Sequence, residues 1–179
     1  RLQTAWCKAN STACINQSML SVNNTIGASI AVDSMITPTD ANVYSYGNYY
    51  NWYSATAGNG TYSISTGDVA GDVCPNHWHL PTGTDDGEFL TLIHARAKDN
   101  TGPASSEALR RYPANFIYSG FVNESSIVGR GSHGRYWSST LFSNSYALNL
   151  IFQDGYTMMR DWNGSNKYFG SAVRCLFSD

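Results

Sequence analysis

Charge is scarce in this chain: Asp, Glu, Lys and Arg together make up 13% of its 179 residues, roughly half of what a globular protein carries. The formal net charge is −2 and the Lys and Arg residues form no basic stripe, which argues against nucleic acid as a partner. No run approaches the roughly 18 apolar residues that a membrane-spanning helix needs. No secretory leader is recognisable. The chain begins at Arg1 rather than at a Met, so it is expected to be processed or trimmed, with any anchor or export signal upstream. Cys-x-x-Cys, G-x-S-x-G, P-loop and dinucleotide-binding signatures are all missing, and no internal repeat or low-complexity tract is visible. No local motif specifies a reaction.

What fills the space is Asn, Ser, Thr, Gly and Tyr, a composition common among secreted surface proteins. The length fits one domain with an arm and is enough to bury a real core. Residues 1–43 are polar and weakly periodic and read as an N-terminal arm; residues 44–179 read as the folded domain. Four cysteines are present, Cys7, Cys14, Cys74 and Cys175. An even count in a low-charge chain reads as two disulfides with three connectivities open, against the alternative of four reduced thiols in a cytosolic protein. The sparing choice pairs Cys7 with Cys14 and Cys74 with Cys175. Closing a loop of about a hundred residues is worth up to roughly 4–5 kcal/mol in the chain-entropy model.

Tyr44–Tyr53 is the densest aromatic cluster. It reads as core beneath a sheet, since Tyr and Trp bury large area and keep a polar handle; a carbohydrate-stacking platform is the other reading. After a Gly/Ser/Thr loop over 58–71, Trp78 and Leu80 are stopped by Pro81. Thr84 or Asp85 is placed to cap a helix with Glu88 in its first turn. Phe89, Leu92, Ile93 and Ala97 recur at helical spacing, and the helix is expected to end within 98–102. A second helix is expected over 105–111, then strand-like residues at 115–122 and a glycine-rich turn at 129–134.

The stretch from Gly134 to Phe177 holds three apolar segments, 147–152, 156–161 and 171–177. Asp154-Gly155 between the first two is a strong hairpin signal. The loop Asn163–Lys167 separates the last two. Leu148, Leu150 and Phe152 alternate as in a strand with one buried face. Short strands, one or two helices and then antiparallel strands make an α+β domain. Around the last strands Tyr146, Asn149, Tyr156, Arg160, Asp161, Trp162, Asn163, Asn166 and Tyr168 form a candidate binding face, because rigid aromatics mixed with amides are the chemistry of recognition. A loop-rich domain with a merely polar and aromatic surface is the alternative.

Metal chemistry has two candidate sets. His77 and His79, two apart on a strand with Trp78 pointing inward between them, share a face, with Asp72 or His133 as a distant third ligand; hydrogen-bonded packing is the competing role. Asp154, Asp161 and Asn163 lie on one side of the predicted hairpin and would hold Ca²⁺, although they supply few charges. Asp85, Asp86 and Glu88 lack the EF-hand spacing and read as a helix start. No cofactor is expected.

Four segments occur in order: Tyr46–Tyr53 (YGNYYNWY), Cys74–Thr82 (CPNHWHLPT), Tyr136–Thr140 (YWSST) and Gly170–Cys175 (GSAVRC). Together they resemble the Fibrobacter succinogenes major paralogous domain, a family of exported bacterial surface proteins, over Tyr44 to the end of the chain. That family is similar to the C-type lectin fold, and more distantly to formylglycine-generating enzymes and to the variable proteins of diversity-generating retroelements. The resemblance implies a helix after Leu80-Pro81-Thr82 packed on a small twisted, mostly antiparallel sheet, and a bond between Cys74 and Cys175. The chain departs from the family in having His77-Trp78 where Gly-Trp is usual. Glu-Pro-Asn, the sugar-binding triplet of calcium-dependent lectins, is missing, and only Trp162-Asn163 is similar to their Trp-Asn-Asp. Paired catalytic cysteines like those of the formylglycine enzymes are not recognisable.

The expected function is therefore extracellular, surface-displayed recognition of a glycan or protein without catalysis. The alternatives are a structural subunit that self-assembles into a pilus or fibre, and a metal-dependent enzyme built on His77 and His79.

Overall fold

The computed structural model describes residues 49–57, 67–96, 103–123, 126–153, 156–158 and 164–177, with backbone alone at 103–105 and 156–158. The expected 1–43 arm, the Cys7–Cys14 pairing and the Asp154/Asp161/Asn163 set lie outside the described residues.

The spine is an antiparallel pair, β5 (His133–Leu141) and β6 (Tyr146–Gln153), in register from His133 opposite Gln153 to Trp137 opposite Asn149. A shift then brings Leu141 opposite Ala147. β1 (Gly67–Asp68) lies along β5, while β7 (Tyr156–Met158) and β8 (Ser165–Asn166) both pair antiparallel with β6. Gln153 opposite Tyr156 fixes a two-residue connection, the hairpin expected from Asp154-Gly155. Two small ladders flank this five-stranded sheet: β2 (Trp78–His79) with β9 (Leu176–Phe177), and β3 (Phe121–Asn123) with β4 (Ser126–Val128).

Among the described residues three helices join these strands: α1 (Trp52–Ala55), α2 (Glu88–Arg96) and α3 (Pro103–Arg110). The result is an α+β fold with a few helices packed against an antiparallel sheet. Phe89 and Ile93 of α2 and Leu109 of α3 meet Tyr136, Leu150 and Phe152 on one side of the sheet. On the other side Trp52, Tyr53 and Ala55 meet Trp137, Leu141, Ala147 and Leu80. Strand β6 is therefore buried on both faces, where period-two alternation predicted one: Ala147, Asn149 and Ile151 are as enclosed as Leu148, Leu150 and Phe152. A strand covered on both sides loses its alternation, and here the only polar member among the buried residues 147–152 is Asn149.

Helix α2 starts by a different device from the one expected. Thr82 Oγ1 accepts from the Glu88 N–H at 2.9 Å, and the Glu88 carboxylate accepts from the Thr82 N–H at 3.0 Å. This reciprocal pair works like a capping box, with Gly87 N bonding Thr84 O in the intervening turn. Thr84 and Asp85 are exposed on that turn. Glu88 also holds His79, Oε1 to Nε2 at 2.6 Å, which ties the helix start to β2.

The aromatic cluster is core wherever it is described, with Tyr49, Tyr50, Trp52 and Tyr53 all buried. The polar handles of Trp52 and Tyr49 find carbonyls, as does that of Trp137. Trp52 Nε1 donates to Ser138 O at 2.9 Å, Trp137 Nε1 donates to Tyr50 O at 2.7 Å, and Tyr49 Oη donates to Ser119 O. Asn51 caps α1 by accepting from Ser54 N at 2.8 Å. Tyr44 and Tyr46 lie outside the described residues.

Cys74 and Cys175 are bonded, closing a sequence separation of 101 residues. The expected third segment, 171–177, is shared among several partners instead of forming one strand. Ser171 bridges Tyr50, Ala172 bridges Tyr136, and Leu176–Phe177 pair with Trp78–His79. The start of the segment is held by the aromatic cluster through Tyr50, and its end is held beside β2 by the Cys74–Cys175 bond.

Candidate ligand-binding face

Six residues, 159–164, separate β7 from β8, yet the two strands pair with neighbouring stretches of the same β6 edge. Met158 lies opposite Ile151, and Ser165 lies opposite Ala147. Arg160, Asp161, Trp162 and Asn163 fall between these anchors and lie outside the described residues. Tyr156 is placed by its backbone on β7, opposite Gln153. The predicted loop Asn163–Lys167 is in part a strand: Ser165–Asn166 take up the β6 edge that the short β7 leaves open.

The described part of the face is built on this edge. Tyr146 begins β6, lies opposite Asn166 of β8, and is 39% exposed. Asn144, just before it, is also exposed, and Asn166 and Tyr168 are half-buried. The Tyr168 ring packs edge-on against Phe169, with centroids 5.3 Å apart. Tyr146 and Asn166 are thus held side by side by strand pairing, and Tyr168 follows in the turn after β8.

Asn149 does not join them at the surface. It is fully buried, and its Nδ2 donates to Ser165 Oγ at 2.9 Å. On the pleat Asn149 shares a face with Ala147, whose partner across the ladder is Ser165, so the two polar side chains meet diagonally. Trp137 N donates away from β6 to Ala172 O, so the facing residue Asn149 also turns its N–H and C=O outward. They point to the edge where β7 ends and β8 begins. Arg135 Nη1 also donates to Ser165 Oγ, at 3.4 Å, while the guanidinium lies 3.7 Å from the centre of the Phe121 ring. Asn149 therefore positions β8 from below, and a ligand at the surface does not touch it.

Lys167 escaped the sequence reading because it sits in a turn-like Asn/Gly/Ser run. Its side chain is buried, with Nζ donating to Asn144 O at 3.0 Å and lying 4.8 Å from the Trp52 ring centre and 5.9 Å from that of Tyr53. Desolvation pulls its pKa down to about 8. Its backbone N–H donates to Ser145 O and its C=O accepts from Trp52 N. One residue thus locks the 142–145 turn and α1 to the end of β8. No charge or period in the sequence marks it, since its burial depends on aromatic rings more than a hundred residues away.

The histidine set is dispersed. His77 is exposed in a turn with φ 65°, outside β2. Trp78 points outward at 45% exposure, against the inward placement expected, and its ring packs edge-on against Phe177. Asp72 is occupied in shaping its own loop: its two carboxylate oxygens accept from Cys74 N and Leu80 N, each at 2.8 Å. His133 Nδ1 sits 2.8 Å from Ser132 Oγ. Among the described residues no three His, Cys, Asp or Glu side chains come together as a metal site, and no helix is long and apolar enough to cross a membrane.

Comparison with protein-family models, with curated proteins and with solved structures found no match in any of the three.

Proposed function

We propose that the chain is a C-type-lectin-like recognition domain, of the kind its four sequence segments resemble, displayed outside the cell. It takes a glycan or a protein ligand on the face formed by Tyr146, Asn166 and Tyr168 together with Tyr156 and residues 160–163. The observation that carries this reading is the Tyr146–Asn166 cross-strand pair. It sets an exposed aromatic beside an amide on a sheet edge, and Lys167 and Asn149 brace it from beneath. Rigid aromatic area beside adaptable hydrogen bonding is what a recognition surface needs. The Cys74–Cys175 bond supports an oxidising, extracellular setting. The test is a glycan and protein-ligand screen of the purified chain with and without EDTA. Binding lost in Tyr146→Ala supports the face, and EDTA sensitivity would assign a role to Ca²⁺.

A second reading, a subunit of a pilus or fibre, draws on the pair Trp78 and Phe177, 45% and 58% exposed and in ring contact at 5.5 Å. Exposed aromatics of this size mark surfaces that other protein covers. Light scattering over a concentration series tests it: ordered polymers lost in Trp78→Ser would favour the subunit.

A further inference from the structure

The chain as a whole is slightly acidic, yet four of its arginines gather around one loop. Arg96 at the end of α2 donates from Nη2 to Tyr112 O at 2.8 Å. Arg174, just before β9, donates to Ala114 O at 2.6 Å and to Asn115 O at 3.3 Å. Arg110 and Arg111 close α3 and enter the loop itself. Among the described residues one carboxylate answers them: Glu107 lies 3.1 Å from Arg111 Nε and 3.8 Å from Arg110 Nη1. Among the described residues no carboxylate is within ion-pair distance of Arg96 or Arg174.

A carbonyl hydrogen bond orients a guanidinium without cancelling its charge. Aromatic rings add to the orientation: Arg174 lies 4.8 Å from the Phe116 ring centre and Arg110 lies 4.2 Å from that of Tyr118. The forks are therefore held in place before any ligand arrives. Arg111 presents its side chain at 73% exposure, and Tyr112 beside it is 83% exposed, the most exposed large hydrophobic side chain among the described residues. Fixed planar forks suit carboxylate or sulfate oxygens, and a flat aromatic face next to them suits a sugar ring.

We infer that the loop ringed by Arg96, Arg110, Arg111 and Arg174, with Tyr112 at its tip, is a binding surface for acidic polysaccharide. Its neighbouring rings Phe116 and Tyr118 pack on the α2/α3 side of the sheet, and it does not depend on the Tyr146 face binding anything. An acidic peptide or a nucleic acid would meet the same charge but gain less from the lone exposed ring.

Affinity of the full chain for dextran sulfate and polygalacturonate, set against neutral dextran, tests this surface. At about 50 mM salt both acidic polymers are expected to bind at least about tenfold more tightly than dextran, with the advantage falling by about tenfold near 300 mM as counterions screen the contacts. Arg110→Ala/Arg111→Ala, whose polar partner among the described residues is Glu107, is expected to weaken binding about fivefold or more with the fold intact. Arg174→Lys, keeping charge without the fork, is expected to weaken binding less than Arg174→Gln. Equal binding of neutral and acidic dextrans, or native affinity in the Arg110/Arg111 variant, would overturn the surface. Polyglutamate or duplex DNA binding as tightly as the acidic polysaccharides would overturn the assignment to polysaccharide.

Discussion

Asn149 donates from Nδ2 to the hydroxyl of Ser165 at 2.9 Å, inside the sheet and out of reach of solvent. Its Oδ1 is buried as well, and no donor among the described residues reaches it. An amide enclosed in this way is costly to leave half-paired, so the bond to Ser165 matters more than its length alone implies. Ser165→Ala should destabilise the domain by about 1–3 kcal/mol, because the whole Asn149 amide then loses its protein partner. Asn149→Leu, which removes the polar group altogether, should cost less than Asn149→Ser. A urea-unfolding double-mutant cycle measures the coupling, and a value near zero would contradict the pairing.

Phe152 lies across Gly134 on the facing strand. A Cβ built at Gly134 would come within 2.3 Å of the Phe152 ring. That ring also stacks with Tyr136 and meets Phe116 and Tyr118, so it has no free direction in which to retreat. Gly134→Ala should cost about 1–3 kcal/mol as overpacking. Phe152→Ala should cost about 3–5 kcal/mol as a cavity between α2, α3 and the sheet. Thermal unfolding of each variant checks the order, and a neutral Gly134→Ala would show that Phe152 is not fixed there.

The same residues show how far the sequence could be read. Helix α2 and the Asp154-Gly155 hairpin were legible because their signals are local: a 3.6-residue period in one, a turn dipeptide in the other. The burial of Tyr49–Tyr53 was legible from the density of large rings. The second buried face of β6 was not, because Ala147 and Asn149 look like surface residues until Trp137 and Ser165 are brought against them from distant parts of the chain. The α2 cap went to Thr82 for a related reason. Glu88 reaches back over six residues to it, a spacing that no three-residue motif predicts. Of the proposed face, Tyr146, Asn166 and Tyr168 were read from composition, while Lys167 and Ser165 beneath them were missed.

Lys167 should make stability depend on pH in the alkaline range. Its pKa falls from 10.5 to about 8 in the folded chain because burial penalises the ammonium. Between those values the unfolded chain binds more protons than the folded one, so this group's contribution raises stability as pH climbs from about 8 to about 10.5. The full effect is at most roughly 3 kcal/mol. Comparing the native chain with Lys167→Met cancels the titration of the other groups. The native chain should gain stability relative to the variant across this window, and a constant difference would contradict the burial of the ammonium.

The Cys74–Cys175 bond joins the segment before β2 to the segment before β9 across 101 residues of sequence. Cys74→Ser/Cys175→Ser should lower stability by about 4 kcal/mol if the bond acts by restricting the unfolded chain. The loss should be similar whether the bond is mutated or reduced. A reduced chain as stable as the native one, in denaturant titrations with and without dithiothreitol, would remove the disulfide from the account of stability.

The most direct test of the proposed recognition face is a matched pair of binding screens over the same glycan and protein library. One uses the native chain, the other Tyr146→Ala/Tyr168→Ala, with Arg110→Ala/Arg111→Ala as the control for the separate arginine surface. The account predicts at least one ligand, other than the acidic polysaccharides, that the native chain and the arginine variant bind equally and that the tyrosine variant loses by about tenfold or more, a loss typical of aromatic anchors. Ligands retained in full by the tyrosine variant would contradict the assignment of recognition to the Tyr146–Asn166 edge.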